Sequence, residues 1–295
     1  MPRLVSILVL TLALHHGAVT AAAVDQEDYW RQTLMKSHAE DIVWLKRDSE
    51  KTLALIAEDR TGNPQGAAII LHAAGAHPDW PEVVAPLRKA LPDFGWITLS
   101  VQMPVLPRTA ELSDYGPLFE DVPSRLDSAI AELQSRGIQN IVIIGHGLGS
   151  IMAASYLAER DNTPVKAFIG ISMGDYQYID KHFDTTHLLA QIAMPMLDIY
   201  GSRDNSAVVN TAQLRARAAQ LAGLSATMNR QLNVYQKSAN GRSAATRKAG
   251  YITYRRFEIA GADADFTGFE AILIKRIVGW LKQHAGGISL ASQFN

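Results

Sequence analysis

The stretch Asn140-Ile-Val-Ile-Ile-Gly-His-Gly-Leu-Gly-Ser150 decides how this chain folds. Its first half is a continuous apolar run, which predicts a strand buried on both faces of a sheet. Gly145, Gly147 and Gly149 then predict a tight turn, after which a helix is expected to start. A buried strand that leads through a glycine turn into a helix is typical of proteins that alternate strands and helices.

The same turn in α/β hydrolases is the nucleophile elbow, G-x-S-x-G, whose central serine attacks the substrate. The central residue here is Gly147, which has no side chain and cannot act as a nucleophile. Glycine adopts the strained backbone of this turn without cost, and the turn still presents N–H groups at the start of a helix. The sequence therefore predicts a hydrolase scaffold that lacks the usual nucleophile but still favours a bound anion or carbonyl oxygen.

Strands and helices alternate on both sides of this turn. The predicted strands are 42–45, 52–57, 67–71, 96–101, 140–144, 165–171, 196–200 and 251–259. The predicted helices are 25–38, 79–91, 122–136, 149–159, 185–192, 207–221 and 266–284. The first two strands read as an antiparallel hairpin at one sheet edge, and Pro86 is expected to kink its helix. This order predicts an α/β-hydrolase fold with a mostly parallel sheet, helices on both faces and an N-terminal antiparallel hairpin.

The first 23 residues carry the pattern of a secretory signal peptide. Arg3 provides the positive charge, residues 4–14 form an apolar run, and Ala21-Ala22-Ala23 offers small residues for cleavage. The run is about half of the roughly 20 residues that span a bilayer, and a retained N-terminal anchor is the alternative to cleavage. We expect a signal peptide over 1–23 and one domain over 24–295, periplasmic or secreted, without stable membrane insertion after cleavage.

The composition excludes several classes of function. The chain has no cysteine, which excludes disulfides, thiolate metal sites, a cysteine nucleophile and a lipid-modified N-terminal cysteine. Its net charge of −1 gives no global reason to expect nucleic acid as a partner. No spacing such as H-E-x-x-H predicts a metal, and Ser150 breaks the dinucleotide fingerprint that the glycines would otherwise resemble. We therefore expect no metal, no cofactor and no nucleic-acid partner.

Two further loops fall where a serine triad keeps its acid and its base, at the carboxyl ends of strands. Asp204 follows the strand 196–200 in the place of the acid, although it equally suits the cap of the next helix. Ala264 stands where a Gly-Ala-Asp-His-x-Phe arrangement would put the histidine. Two of the three triad-equivalent positions, Gly147 and Ala264, therefore lack a functional side chain.

The loop after the strand 67–71 corresponds to the oxyanion-hole loop of lipases and esterases. His72 is expected to organise this loop, and His77 either faces the pocket or shapes the next helix start beside Pro78 and Asp79. No catalytic residue is expected. The candidate residues of a ligand pocket are His72, Gly75, His77, His146, Gly147, Leu148, Ser172, Asp204 and Asp263.

Removing the nucleophile and its base from a serine triad lowers turnover by about 10⁶-fold. Binding needs neither group, so the sequence favours a non-catalytic protein that binds a small molecule or an anionic envelope component. The alternative is a serine hydrolase of small esters or acyl compounds with a displaced nucleophile, Ser150 or Ser172. Its base would be His146, His182 or His187. We expect Ser150 to cap its helix instead, and His146 to pack or hydrogen-bond locally.

Residues 205–257 contain nine lysines and arginines and no acidic residue. Within them, the polar, glycine- and serine-containing segment 225–250 predicts a long mobile loop. A basic loop of this kind would recruit an anionic envelope component, such as a glycan phosphate or an acidic protein face. The alternative is a solvated surface whose charge is balanced by acids elsewhere in the chain.

Five motifs together resemble the exported bacterial α/β-hydrolase-like proteins of unknown function whose elbow reads Gly-His-Gly-x-Gly. The motifs are HAAGAHPDW at 72–80, GWITLSVQMP at 95–104, IGHGLG at 144–149, LDIYG at 197–201 and GADADF at 261–266. The resemblance covers most of the chain after the signal and implies the fold and an envelope location, but no activity. It also implies a histidine in similar chains where this chain has Ala264, so it carries over no catalysis.

Overall fold

The computed structural model of this protein describes residues 2–47, 50–160, 162–239 and 254–286. Its strands are β1 (Ile42–Arg47), β2 (Glu50–Ala57), β3 (Gly66–Leu71), β4 (Trp96–Val101), β5 (Ile141–His146), β6 (Val165–Ile171), β7 (Met196–Gly201) and β8 (Tyr254–Ile259). They form one sheet in the order β1-β2-β4-β3-β5-β6-β7-β8. The pairs β1–β2 and β2–β4 are antiparallel, and the later pairs are parallel. The predicted hairpin and the mostly parallel sheet are confirmed.

The parallel register brings the carboxyl ends of the central strands to one edge of the sheet. Leu71 at the end of β3 is paired with Gly145, and His146 at the end of β5 is paired with Ile171. The loops that follow β3, β5, β6, β7 and β8 therefore leave the sheet on the same side. In open parallel sheets this edge is where ligand sites form.

Helices cover both faces of the sheet. They are α1 (Pro2–Ser37), α2 (Val84–Ala90), α3 (Val122–Ser135), α4 (Leu148–Ala158), α5 (Thr185–Leu189), α6 (Ser206–Val209), α7 (Ala212–Ala239) and α8 (Glu270–His284). On one face, Leu126 of α3 and Ile151 of α4 share a buried cluster with strand residues such as Ile143. On the other face, Leu87 of α2 and Ile277 of α8 do the same with residues such as Ile144. Neighbouring residues of β5 thus supply both cores, which explains its uninterrupted apolar sequence.

The predicted helix 79–91 begins five residues later than expected. Val83 has φ 59°, a left-handed conformation that no helix accommodates, and α2 therefore starts at Val84. Pro86 lies in the first turn of α2, where backbone N–H groups lack intrahelical partners, so it removes no intrahelical hydrogen bond. The last predicted helix, 266–284, is also shorter and begins at Glu270. Phe266 at φ 55° and Gly268 at φ 78° exclude the first residues from a helix.

The expectation of a mobile loop over 225–250 is wrong for its first part. Helix α7 continues to Ala239, so residues 225–239 are helical. The polar composition suggested a loop, but no glycine or proline interrupts the helix between Gly223 and Gly241. Residues 240–250 lie outside the described residues, as does the centre of the predicted charged turn 47–50.

Helix α1 begins at Pro2 and continues past the predicted cleavage region to Ser37. Its second half packs on the sheet and its neighbours: the buried Arg125 donates to Glu27 at 2.9 Å, and Leu34 packs against strand β2. The expected helix 25–38 is thus present as the end of α1, whereas cleavage of 1–23 stays a prediction. Across the part of the chain that is described, no helix has the length and apolar character needed to cross a membrane.

A buried ion pair fixes the strand that precedes Asp204. Asp198 in the middle of β7 accepts hydrogen bonds from Arg215 Nε of α7 (3.0 Å) and from the Tyr254 hydroxyl of β8 (2.8 Å). Asp198 and Arg215 are both fully buried. Because each charge would be costly to bury alone, the pair holds α7 against β7, and the Tyr254 hydroxyl joins β8 to the same carboxylate.

Candidate functional site

The turn between β5 and α4 has the backbone of a nucleophile elbow although its central residue is glycine. Gly147 lies at φ 53° and ψ −117°, between the end of β5 and the first residue of α4. Its N–H donates to the Ile171 carbonyl at 2.9 Å, and its own carbonyl accepts from the Ser150 N–H at 3.0 Å. A side chain in this conformation is strained, and glycine relieves that strain.

The glycines on either side are required by close contact. A Cβ on Gly149 would lie 2.6 Å from the carbonyl oxygens of Leu71 and His72, and one on Gly145 would lie 2.5 Å from Ser150 Cα. A Cβ on Gly147 would meet only the Ala73 side chain, at 3.1 Å. The flanking positions thus exclude any side chain, whereas the centre would accept one after a shift of a few tenths of an ångström.

His72 organises the loop after β3 through its ring nitrogens. Nδ1 donates to the Ala73 carbonyl at 2.9 Å, and Nε2 accepts the Met103 N–H at 3.0 Å. Burial lowers the pKa of His72 to about 3, so the ring is neutral at physiological pH. The ring therefore links the β3 loop to the segment after β4.

Gly75 and His77 hold the rest of this loop. The Gly75 N–H donates to the Tyr115 hydroxyl at 3.0 Å, which also accepts from the Leu106 N–H at 3.1 Å. His77 Nδ1 accepts the Asp79 N–H at 3.1 Å, and its ring centre is 4.4 Å from that of Trp30. Of the two roles expected for His77, these contacts correspond to shaping the chain before α2.

Three segments that are distant in sequence meet at the Ala264 carbonyl. His146 Nε2 donates to this oxygen at 2.9 Å, and the Ser172 hydroxyl donates to it at 3.0 Å. Ser172 itself follows β6 with φ 51°, an uncommon conformation for a residue with a side chain. Of the two roles expected for His146, packing is confirmed by its burial, whereas its hydrogen bond is not local, because parallel strands bring the distant β8–α8 loop beside it.

Asp204 lies beside this cluster, at the end of β7. Its Oδ1 accepts the Asn205 N–H at 2.7 Å, and its Oδ2 is buried without a partner among the described residues. Burial raises the pKa of Asp204, whereas the neighbouring Ser172 hydroxyl and His146 lower it. Asp263 makes only a local turn, in which its Oδ1 accepts the Asp265 N–H at 3.2 Å.

His146 has three carboxylates as its electrostatic neighbours. Burial lowers the pKa of His146, and Asp265, Asp204 and Glu82 each raise it without outweighing burial. Sequence reasoning missed Glu82 because the region around it was assigned to a regular helix. The left-handed residue Val83 that follows Glu82 has no reliable signal in a single sequence.

Ser150 is part of the fold's framework and does not cap helix α4. Helix α4 begins at Leu148, so Ser150 is its third residue. The Ser150 hydroxyl donates to the Gly145 carbonyl at 2.7 Å and accepts the Ile171 N–H at 3.1 Å. The hydroxyl thus joins β5 to β6 inside the protein and is fully buried.

Two serines contact histidines away from the elbow. Ser37 Oγ lies 2.7 Å from His38 Nδ1, and His38 Nε2 lies 2.9 Å from Asp79 Oδ2. Ser155 Oγ lies 3.4 Å from His182 Nδ1, a contact at the limit of a hydrogen bond. The other candidate base, His187, is exposed in helix α5. Among the described residues, no group of three histidine or acidic side chains is arranged to hold a metal ion.

The strand order and the turn at Gly147 define an α/β-hydrolase fold, and the comparisons with solved structures agree. The chain is similar to Est1E from Butyrivibrio proteoclasticus, with 13% identity, a TM-score of 0.57, and coverage of 83% of this chain and 99% of that one. It is similar to dienelactone hydrolase from Anabaena variabilis, with 17% identity, a TM-score of 0.59, and coverage of 83% and 97%. A third similar structure is an alpha-beta serine hydrolase homologue from Coxiella burnetii, with 15% identity, a TM-score of 0.53, and coverage of 81% and 96%.

The chain belongs to the DUF3530 family of proteins of unknown function, whose model matches residues 11–117 and 117–247. No curated protein matches the chain in sequence. The structural similarity to the solved hydrolases shows a shared fold, and at these low sequence identities it shows the fold alone.

Alanine substitutions test whether the flanking and central glycines have different roles. Gly147→Ala should lower the free energy of unfolding by about 1–3 kcal/mol, the cost of one strained residue. Gly149→Ala should cost more although its φ is ordinary, because its Cβ would overlap two backbone oxygens. Urea unfolding followed by circular dichroism measures both.

Gly137→Ala is the matched control, since Gly137 has φ 82° and open space around its Cβ position. It should show the cost of a positive φ without a clash. A Gly149→Ala variant as stable as the Gly147→Ala variant would contradict the assignment of close packing to position 149.

Acidification tests the buried neutral state of His72. The unfolded chain binds a proton near pH 6.5, whereas the folded chain resists it down to about pH 3. The stabilising effect of His72 is therefore complete above pH 6.5 and is lost as the pH falls. The difference in unfolding free energy between wild type and His72→Asn should shrink by about 1.4 kcal/mol per pH unit below 6.5. Urea titrations between pH 7 and pH 5 measure it.

The control for acidification is His187→Asn, which removes an exposed histidine from helix α5. The same urea titrations on this variant show how much of a pH-dependent change follows from replacing any histidine by asparagine. A constant difference between wild type and His72→Asn would contradict a neutral buried His72.

Proposed function

We propose that this protein is a non-catalytic member of the α/β-hydrolase fold that acts by binding a ligand or an envelope partner. The observation that carries the proposal is Gly147, which keeps the backbone of the elbow without supplying a nucleophile. Ala264, in the place expected for the base, offers only its carbonyl oxygen to the site. Loss of both groups lowers the turnover of a serine triad by about 10⁶-fold.

Features that bind rather than react are retained around Gly147. Helix α4 starts directly after the turn, so the N–H groups of its first residues, beginning with Leu148, lack intrahelical acceptors. The loop held by His72 brings Ala73 against the centre of the turn. Such a helix start favours a carbonyl or anionic oxygen on a ligand.

The partner and the location belong to the same proposal. The pattern of residues 1–23 supports export, and we propose a periplasmic or secreted protein with its ligand in the bacterial envelope. This ligand is a small molecule or an anionic envelope component. Nucleic acid is not among the proposed partners, since the chain has a net charge of −1.

A serine hydrolase with a displaced nucleophile is the second candidate. The Ser37, His38 and Asp79 contacts favour it, because they align a hydroxyl, an imidazole and a carboxylate. The Ser37 hydroxyl also lies 3.2 Å from the Thr33 carbonyl in the last turn of α1, a contact typical of helical serines. Ser172 donates to a carbonyl and Ser150 is enclosed between strands, so neither has a base as its partner.

Covalent labelling separates the two candidates. The mature protein, treated with a fluorophosphonate probe and then digested for mass spectrometry, should show no labelled serine above a heat-denatured sample. It should also show no multiple turnover of nitrophenyl acetate, because the elbow supplies no hydroxyl. The variants Ser37→Ala and Ser155→Ala serve as matched controls. Stoichiometric labelling that one of these substitutions removes would establish the second candidate instead.

A further inference from the structure

A cavity of about 590 Å³ lies at the edge of the sheet where the parallel strands begin. Its lining includes Gly66 at the start of β3, Asn140 directly before β5 and Lys166 near the start of β6. Because the elbow follows the other end of β5, the cavity and the elbow lie at opposite edges of the sheet. Its volume is within the roughly 300–1,000 Å³ of small-molecule sites. We call it the amino-edge cavity.

One lining side chain joins three segments around this cavity. Asn140 Nδ2 donates to the Gln65 carbonyl before β3 and to the Ala285 carbonyl after α8, both at 2.7 Å. A Cβ on Gly66 would lie 2.3 Å from the Asn140 carbonyl oxygen, so glycine is required where β3 meets the segment before β5. The cavity therefore has a framework that is formed before any ligand binds.

The walls of the amino-edge cavity are mainly apolar. Pro64, Ile97, Ile138 and Ala285 contribute aliphatic surface to it. Ile97 belongs to the buried cluster on one face of the sheet and Ala285 to the cluster on the other face. A hydrocarbon segment of a ligand would cover this surface and remove it from water, which favours binding.

The charged residues of the lining leave one cation without a partner. Arg136 donates to Glu58 at 3.0 Å and to Glu132 at 2.8 Å, so carboxylates already balance its charge. Lys166 forms no ion pair with any of the described residues. His284 adds no charge near neutral pH, because burial lowers its pKa. The cavity thus offers one ammonium group to a ligand.

Lys166 occupies an unusual place for a lysine. Strand β6 lies between β5 and β7, and all its other residues are buried. A charged side chain in such a strand needs water or an opposite charge to stabilise it. Lys166 is exposed and lines the amino-edge cavity, so its ammonium is available to a ligand bound there.

We propose that the amino-edge cavity binds a medium-chain monocarboxylate, with the carboxylate at Lys166 and the hydrocarbon chain against the apolar walls. One unpaired cation matches a ligand with a single negative charge, and the aliphatic lining matches its chain. A short anion lacks the second contact, and an uncharged or cationic amphiphile lacks the first. The proposal adds a second site to this protein and does not depend on the elbow.

Four probes test this assignment by isothermal titration calorimetry with the mature protein. Octanoate has the anionic head and the chain, acetate has the head alone, octan-1-ol has the chain alone, and octylammonium has the chain with the opposite charge. Octanoate should bind saturably and most tightly, and acetate should show no binding. Octylammonium should bind more weakly than octan-1-ol, because Lys166 repels it.

The variant Lys166→Gln removes the cation and keeps most of the side chain. Its affinity for octanoate should fall by about three- to tenfold, between the effects typical of an exposed ion pair and of a charge-assisted hydrogen bond. Its affinity for octan-1-ol should stay unchanged. Lys181→Gln is the matched control, because it removes an exposed lysine before α5, outside the cavity, and should leave both affinities unchanged.

Four results would overturn the proposal. They are no binding of octanoate, equal binding of octanoate and octylammonium, equal effects of the two lysine substitutions, and binding of octanoate only by a chain that ends at Gly286. In the last case, residues 287–295 of the chain itself would occupy the cavity. None of these results bears on the elbow, which the fluorophosphonate probe and nitrophenyl acetate test separately.

Discussion

The backbone of the turn 145–149 packs so closely against the end of β3 that the fold depends on glycine there. At Gly149 a single methyl group would lie 2.6 Å from two backbone oxygens. This contact fixes the start of helix α4, the loop that His72 holds, and the position of Gly147 between them. The architecture of a hydrolase active site therefore persists for reasons of packing, whether or not a nucleophile stands at its centre.

The polar groups at the strand ends where a serine triad is expected form a different arrangement. In a triad, three side chains from three strand ends form a chain of proton donors and acceptors. Here the three segments meet at the backbone carbonyl of Ala264, to which His146 and Ser172 donate. The His146 ring and the Ser172 hydroxyl are thus both held by a backbone carbonyl and not by each other. Burial raises the pKa of Asp204, whereas the neighbouring Ser172 hydroxyl and His146 lower it.

Much of the fold could be predicted from the sequence because the central strands are continuous apolar runs bounded by turn residues. The elbow could be found for the same reason, as could Asp204 and Ala264, which stand at strand ends. The late start of α2 could not, since a positive φ at Val83 arises from tertiary contacts that no local signal encodes. The inward hydroxyl of Ser150 was missed because the helix was expected to start at residue 149. It starts at Leu148, so Ser150 lies one residue further into the helix and its hydroxyl bonds to the strands. Glu82 was missed because the helix was predicted to start at residue 79, whereas α2 starts at Val84 and leaves Glu82 in the preceding loop.

The measurement that tests the account most directly places a serine and a histidine at the two positions assigned to the nucleophile and the base. The double variant Gly147→Ser/Ala264→His should react with a fluorophosphonate probe at position 147, where a Cβ would meet only the Ala73 side chain, at 3.1 Å. Each single variant should stay unlabelled or react far more slowly, because a serine hydroxyl needs its base. A double variant that folds with wild-type circular dichroism but leaves position 147 unlabelled would contradict the assignment of these two positions to the triad.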